Sequence, residues 1–315
     1  MFEIKDTDGS ARTGFLKLGR KRIKTPFFMP VATRATIKAI TSDEAEKIGV
    51  ECLIANSFLL SLTPGVETIS KLGGLHRFMN FSKGIFTDSG GFQVLNKNFL
   101  LKKSHEGVLF KNPYTGEKKI YTPNLCMQNQ LHLGSDVAMA LDDVAHHGLD
   151  IKSYTDAIKR THFWAKECLK EHELLKKEYS SKQLLFGICQ GGIRQNYREF
   201  STLKINKMNF DGYALGGLVI GETREELFSS VKAAIDNFDR HKVKYLMGLG
   251  SPTDIVRSVG FGVDCFDSTY PTQNARHGSL LTDTGRVRIL SKKYKDDENP
   301  IMENCRCKVC KNYSR

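Results

Sequence analysis

Missing from this chain is any apolar run approaching the roughly 18 to 20 residues that a membrane-crossing helix requires, and the opening MFEIKDTDGSAR carries neither the basic nor the apolar block of a secretion signal. A cytoplasmic protein is expected, with no membrane partner. Disulfides are not expected in that compartment, so the eight cysteines should be core residues or ligands. Five of them, Cys52, Cys126, Cys168, Cys189 and Cys265, stand in apolar surroundings and read as small core side chains. Only Cys305, Cys307 and Cys310 cluster. Low-complexity tracts are absent, as is any repeat beyond a strand, loop and helix period. With 40% hydrophobic and 26% charged residues the composition is that of an ordinary globular protein, and 315 residues suffice for two average domains or one large barrel. The net charge of +12 favours a polyanionic partner, because counterions released from a phosphate backbone drive its binding to basic surfaces.

Eight short apolar runs recur: PFFMPV from Pro26, CLIANS from Cys52, GIFTDSG from Gly84, VAMALDD from Val137, LLFGICQG from Leu184, GYALGG from Gly212, KYLMGLG from Lys244 and DCFDSTYPT from Asp264. They are continuous rather than alternating, as strands buried on both faces are, and parallel sheets are the usual place for such strands. Helical signals lie between them. Thr41 with Glu44 and Thr223 with Glu226 form capping-box pairs, Ser251-Pro252 reads as an N-cap and a first-turn proline, and Gly49 and Gly260 sit where helices stop. Eight βα units in series close into a barrel, whereas a doubly wound sheet usually has fewer strands and a glycine-rich phosphate loop after the first; none follows PFFMPV. The expected fold is an α/β protein of the (β/α)8 TIM barrel type. Polar turns at Asp8-Gly9 and Gly19-Arg20 make the segment before Pro26 a β-hairpin capping the barrel's bottom. A long insertion, residues 94–135, separates the third and fourth strands and contains a hairpin around 112–116; loops of this length usually carry recognition.

Polar residues and glycines end these apolar strands: Asn56, Asp88, Asp142 with Asp143, Gln190, Gly216 and Gly217, Met247 with Gly248, and Asp267. In a (β/α)8 barrel such positions converge on the C-terminal face, where active sites are built. One strand-end aspartate is readily a helix cap, but three converging carboxylates point to chemistry. They suit an anomeric carbon, with one group attacking or stabilising an oxocarbenium-like centre and another moving the leaving group's proton. Gln190 and the backbone of GGLVIG offer donors and acceptors for the edge of a flat heterocycle; Phe92 and Met247 offer faces to stack on it, or else pack in the core. Near the C-terminus, CRCKVC brings Cys305, Cys307 and Cys310 within six residues. Thiolates so spaced usually hold zinc, although a structural site takes four ligands and no histidine follows Cys310.

TPFFMPVATRATIK, FTDSGGFQV, LFGICQGG, DGYALGGLVIGE, YLMGLGSP, FDSTYPTQNAR and CRCKVCKNYSR follow one another across nearly the whole chain. In this order they closely resemble the signatures of the bacterial tRNA-guanine transglycosylases, also called queuine tRNA-ribosyltransferases. The resemblance implies a barrel domain over residues 1–290, including the N-terminal strands and the insertion, and a small zinc-binding subdomain over 291–315. It implies a homodimeric pentosyltransferase of queuosine biosynthesis. Such an enzyme exchanges guanine at the wobble position of tRNAs with a G-U-N anticodon for a 7-deazaguanine base, 7-aminomethyl-7-deazaguanine, through a covalent tRNA–enzyme intermediate. By that resemblance Asp267 is the nucleophile and Asp88 the general acid/base. Asp142, Gln190 and Gly217 hydrogen-bond the base, Leu218 lends its carbonyl above the Glu222 carboxylate, Phe92 and Met247 sandwich the ring, and Gln273 and Arg276 meet the tRNA. Cys305, Cys307 and Cys310 match three zinc ligands; the family's fourth is a histidine beyond NYSR, so the expected subdomain is incomplete.

Some positions depart from the bacterial pattern. Val144 replaces a cysteine and looks like the eukaryotic, queuine-using enzymes, yet Ile220 is bulky where those tend to have glycine. The smaller base is therefore expected, with a queuine-inserting salvage enzyme as the alternative. Ser268 replaces a cysteine, Leu59 a histidine, and Gln273 an arginine that contacts the anticodon loop, changes that bear on tRNA affinity rather than on chemistry. The rival readings from another class are a non-catalytic tRNA-binding subunit, against which Asp88 and Asp267 argue, and a truncated chain needing a further C-terminal piece.

Overall fold

The structure is a computed structural model and describes residues 1–96, 98–145 and 148–315. All eight apolar runs become parallel strands of one sheet: β1 (Phe27–Pro30), β2 (Cys52–Asn56), β3 (Gly84–Asp88), β4 (Val137–Met139), β5 (Leu184–Cys189), β6 (Gly212–Leu215), β7 (Val243–Leu246) and β8 (Cys265–Ser268). They are paired in the order β1-β8-β7-β6-β5-β4-β3-β2. The sheet closes where the chain leaving β1 meets β2. There Val31 bridges Ile54, the Ala32 amide donates to the Ile54 carbonyl at 2.7 Å, and the Asn56 amide donates to the Thr33 carbonyl at 3.2 Å. This is a (β/α)8 barrel.

Alternate residues of each strand fill its interior. Phe86 meets Phe186 edge-on with ring centroids 5.5 Å apart and Tyr245 at 6.2 Å, and Met29, Ile54, Met139, Ile188 and Cys265 join the same cluster. Their neighbours Leu53, Ala55, Ile85, Leu185, Tyr213, Leu215 and Phe266 belong to separate clusters formed with the surrounding helices. With both faces apolar, the period of two is invisible in the sequence. The five scattered cysteines are all buried.

Both anticipated capping boxes form, heading helices Ser42–Lys47 and Arg224–Ile235. Ser251 precedes helix Pro252–Gly260 as its N-cap, without a side-chain hydrogen bond. Gly49 has a φ of 91° just beyond its helix, as a stop residue should. Gly260 does not behave so: it ends the helix itself, and the positive φ, 96°, falls on Gly262. A Gly-x-Gly pair offers two candidate stops, and local sequence does not choose between them.

The N-terminal hairpin has one strand more than expected, an antiparallel sheet of Phe2–Asp8, Ala11–Leu18 and Lys21–Thr25. Leu16, Leu18 and Ile23 pack with Phe27, Val137, Leu184 and Val243, at or near the starts of barrel strands, and Arg12 forks onto Asp264 with Nε 2.8 Å from Oδ1. The hairpin in the insertion likewise gains a third strand, Leu100–Lys103 beside Val108–Lys111 and Lys118–Tyr121.

By compactness the chain divides into Met1–Ser268 and Thr269–Arg315, whereas the resemblance implies a boundary at 290. The second unit contains helix Tyr270–Arg276, a hairpin of Ser279–Thr282 and Gly285–Arg288, and helix Lys308–Asn312. Among the described residues no helix is long and apolar enough to cross a membrane.

Candidate active site

The C-terminal ends of the strands surround a cavity of about 260 Å³ lined by Asp88, Phe92, Asp142, Gly217, Leu218, Met247 and Asp267, together with Asn56, Gln93, Val144, Ile220 and Tyr245. Seven of the nine residues that the resemblance assigns to catalysis or base binding thus meet in one place. Two do not reach the lining and act behind it. Gln190 is fully buried and donates from Nε2 to Asp142 Oδ2 at 2.6 Å. Glu222 accepts from the Val219 and Ile220 amides, the latter at 3.0 Å. Asp143, the neighbour of Asp142, turns away from the cavity and pairs with Arg160 at 2.6 Å and Lys103 at 2.8 Å. Both residues lie in the loop beyond Met139, where β4 ends. Gln273 and Arg276 lie on the first helix of the second unit.

The carboxylates differ in surroundings. Asp267 is the penultimate residue of β8 and takes both its hydrogen bonds on Oδ1, from the Tyr245 hydroxyl at 2.6 Å and the Gly248 amide at 2.7 Å. Loss of hydration raises its pKa, and these two donors oppose the rise. Tyr245 stays a donor because burial, followed by the charge of Asp267, pushes the phenol well above its ordinary value. Asp88 ends β3; loss of hydration and then the charge of Asp267 push it up to about 7, against the amides of Gly90 and Ser89 and the side chain of Asn56. Asn56 Nδ2 donates to Asp88 Oδ2 at 3.0 Å, and Asn56 Oδ1 caps helix Ser57–Leu62 through the Leu59 amide at 2.9 Å, which fixes which end of the side-chain amide faces Asp88. Asp142 also rises to about 7, from burial and then the charge of Asp88.

The loop after β6 approaches closely because glycine allows it. Gly217 has a φ of 67°, and a Cβ there would collide with Gln190 Oε1; one on Gly216 would lie 2.5 Å from Gln190 Nε2. Val219 adopts a φ of 61°, rare for a β-branched residue, and the Glu222 carboxylate on its amide holds it there.

Sequence reasoning missed Tyr245 and Gln93. Tyr245 shares the inward parity of Val243 in an apolar strand, so its hydroxyl was the available signal.

In the second unit the sulfurs of Cys305, Cys307 and Cys310 lie within 4.8 Å of one another, so the three could hold a metal ion. The Cys310 amide, 3.4 Å from Cys307 Sγ, and then Cys305 hold the Cys307 thiol down to about 7.

Fold and cavity together define a (β/α)8-barrel protein with three carboxylates meeting at the C-terminal mouth. The model of the queuine tRNA-ribosyltransferase family matches residues 6–315, and the chain belongs to that family. It is 42% identical over 317 residues to the queuine tRNA-ribosyltransferase of Fusobacterium nucleatum, covering all of this chain and 83% of that protein. The protein of the same name from Thermotoga neapolitana is 43% identical over 314 residues, again with 83% of its length covered.

Proposed function

We propose that the chain is a tRNA-guanine transglycosylase of queuosine biosynthesis, replacing guanine at the wobble position of tRNAs with a G-U-N anticodon by 7-aminomethyl-7-deazaguanine. The observation that carries this reading is the pair Asp88 and Asp267, which share one cavity but differ in their environments. Asp267, with two donors on Oδ1, is the partner that ionises first, and Oδ2 attacks C1′ of the target nucleotide. The bond from C1′ to the base breaks, and its electron pair leaves with guanine. Asp88, near 7, holds a proton in a large share of molecules at neutral pH and gives it to the departing base. In the return step the ionised Asp88 takes a proton from the ring nitrogen of the incoming base, that nitrogen bonds to C1′, and the ester to Asp267 breaks. Two displacements preserve the sugar's configuration.

Asp142, backed by Gln190, faces the amide and amine edge of the base; Gly217 and Leu218 supply a backbone donor and acceptor; Phe92 and Met247 flank the ring. Ile220 and Val144 both line the cavity, which favours the smaller base over queuine. Gln273 and Arg276 serve the tRNA. We assign zinc to the three thiols, in a structural role, with residues 1–290 as the catalytic domain and 291–315 as the zinc-binding one. A cytoplasmic homodimer completes the reading.

Asp267→Ala is expected to abolish exchange and to lose the slow-migrating covalent adduct that wild type gives on a denaturing gel with tRNA and a trapping base analogue. An adduct that persists in Asp267→Ala places the nucleophile elsewhere.

A further inference from the structure

The side of the β6 loop that faces away from the cavity carries charge of both signs, and one of the charges has no evident structural reason. Arg198 lies on helix Gln195–Asn206, in the buried stripe with Ser201, Thr202 and Ile205. Its side chain is 0% exposed, and no carboxylate pairs with it among the described residues. Instead Nη1 donates to the Gly216 carbonyl at 2.9 Å and the Cys189 carbonyl at 3.1 Å, and Nη2 to the Gly192 carbonyl at 2.9 Å. Taking a guanidinium out of water onto neutral acceptors alone costs stability, and a neutral side chain could satisfy carbonyls with less loss.

The geometry of a trans peptide shows what the charge does. Its C=O and N–H point in opposite directions. The Gly216 carbonyl is turned toward Arg198, so the Gly217 N–H of the same peptide is turned the other way, and both glycines line the cavity. That N–H has no acceptor among the described residues. Two peptides further on the signs are exchanged: the Val219 N–H is turned onto the Glu222 carboxylate, which turns the Leu218 carbonyl the opposite way. A cation behind a C=O and an anion behind an N–H thus present a donor and then an acceptor. A hydrogen bond from a charged donor to the C=O also polarises the peptide and strengthens its N–H.

We infer that Arg198 is a positioning residue which, through the Gly216–Gly217 peptide, orients and strengthens the donor that reads the carbonyl oxygen of the base. The inference rests on the base-exchange reading above. Inhibition constants of guanine and of 2-aminopurine, which lacks guanine's carbonyl oxygen and with it the N1–H, are compared in exchange of labelled guanine into tRNA. If wild type does not prefer guanine, the base-pocket reading itself fails, whatever Arg198 does. Given that preference, Arg198→Met is expected to reduce it about five- to tenfold while the constant for 2-aminopurine stays within about twofold. An equal loss for both bases would make Arg198 a scaffold residue only and overturn the inference. Arg198→Gln keeps two N–H donors and removes the charge, and it serves if the methionine variant does not fold. Its preference should fall about threefold; an unchanged preference in the folded glutamine variant overturns the inference equally.

Discussion

Asn56 illustrates how a single side chain can serve helix and chemistry together. Its Oδ1 caps a helix and its Nδ2 lowers the pKa of Asp88, so Asn56→Ser should keep the cap, as serine is a good N-cap residue, and lose the reach to Asp88. Guanine release needs Asp88 protonated, so the single-turnover rate should fall as pH rises through about 7 in wild type. Without the Asn56 donor the Asp88 pKa rises further, and the alkaline limb should move to higher pH in Asn56→Ser. A limb that stays put, or moves down, would separate Asn56 from the titration. At this scale the legible residues were those that interrupt an apolar strand, such as Asp88 and Asp267. Tyr245 and Arg198 were illegible for opposite reasons: a tyrosine is ordinary within an apolar run, and an arginine on a helix is ordinarily solvated.

The strands were read correctly in position because their composition has only one home, a sheet covered on both sides. Edges and extra strands were not, because Leu100–Lys103 and Lys21–Thr25 carry too few apolar residues to stand out. The loop after β6 was legible as a glycine-rich segment, but its distortion at Val219 was not, since the strain is maintained by Glu222 from three residues away. This loop also sets the size of the cavity. Ile220→Gly should raise kcat/KM for queuine relative to 7-aminomethyl-7-deazaguanine by about tenfold or more, the effect of relieving a side-chain clash in a packed pocket. Competition of the two bases for labelled-guanine exchange measures it; a ratio unmoved by the substitution would assign selection to Val144 or to another wall.

For the molecule as a whole, a net charge of +12 matters through counterions. The slope of log affinity for tRNA against log salt should be steep, about −0.7 to −0.9 per phosphate contact, and the exposed Arg276, changed to alanine, should reduce its magnitude by roughly one contact's worth. Affinity insensitive to salt would mean that the charge keeps the protein in solution and little else.

The barrel's closing seam is a short one, an isolated bridge and a few hydrogen bonds between the chain after β1 and strand β2. Val31 and Thr33 on one bank, and Ile54, Ala55 and Asn56 on the other, also line the cavity. The same residues therefore close the barrel and wall its mouth. A ligand held by both banks draws them together, and a seam that is already shut binds that ligand more tightly by the same factor.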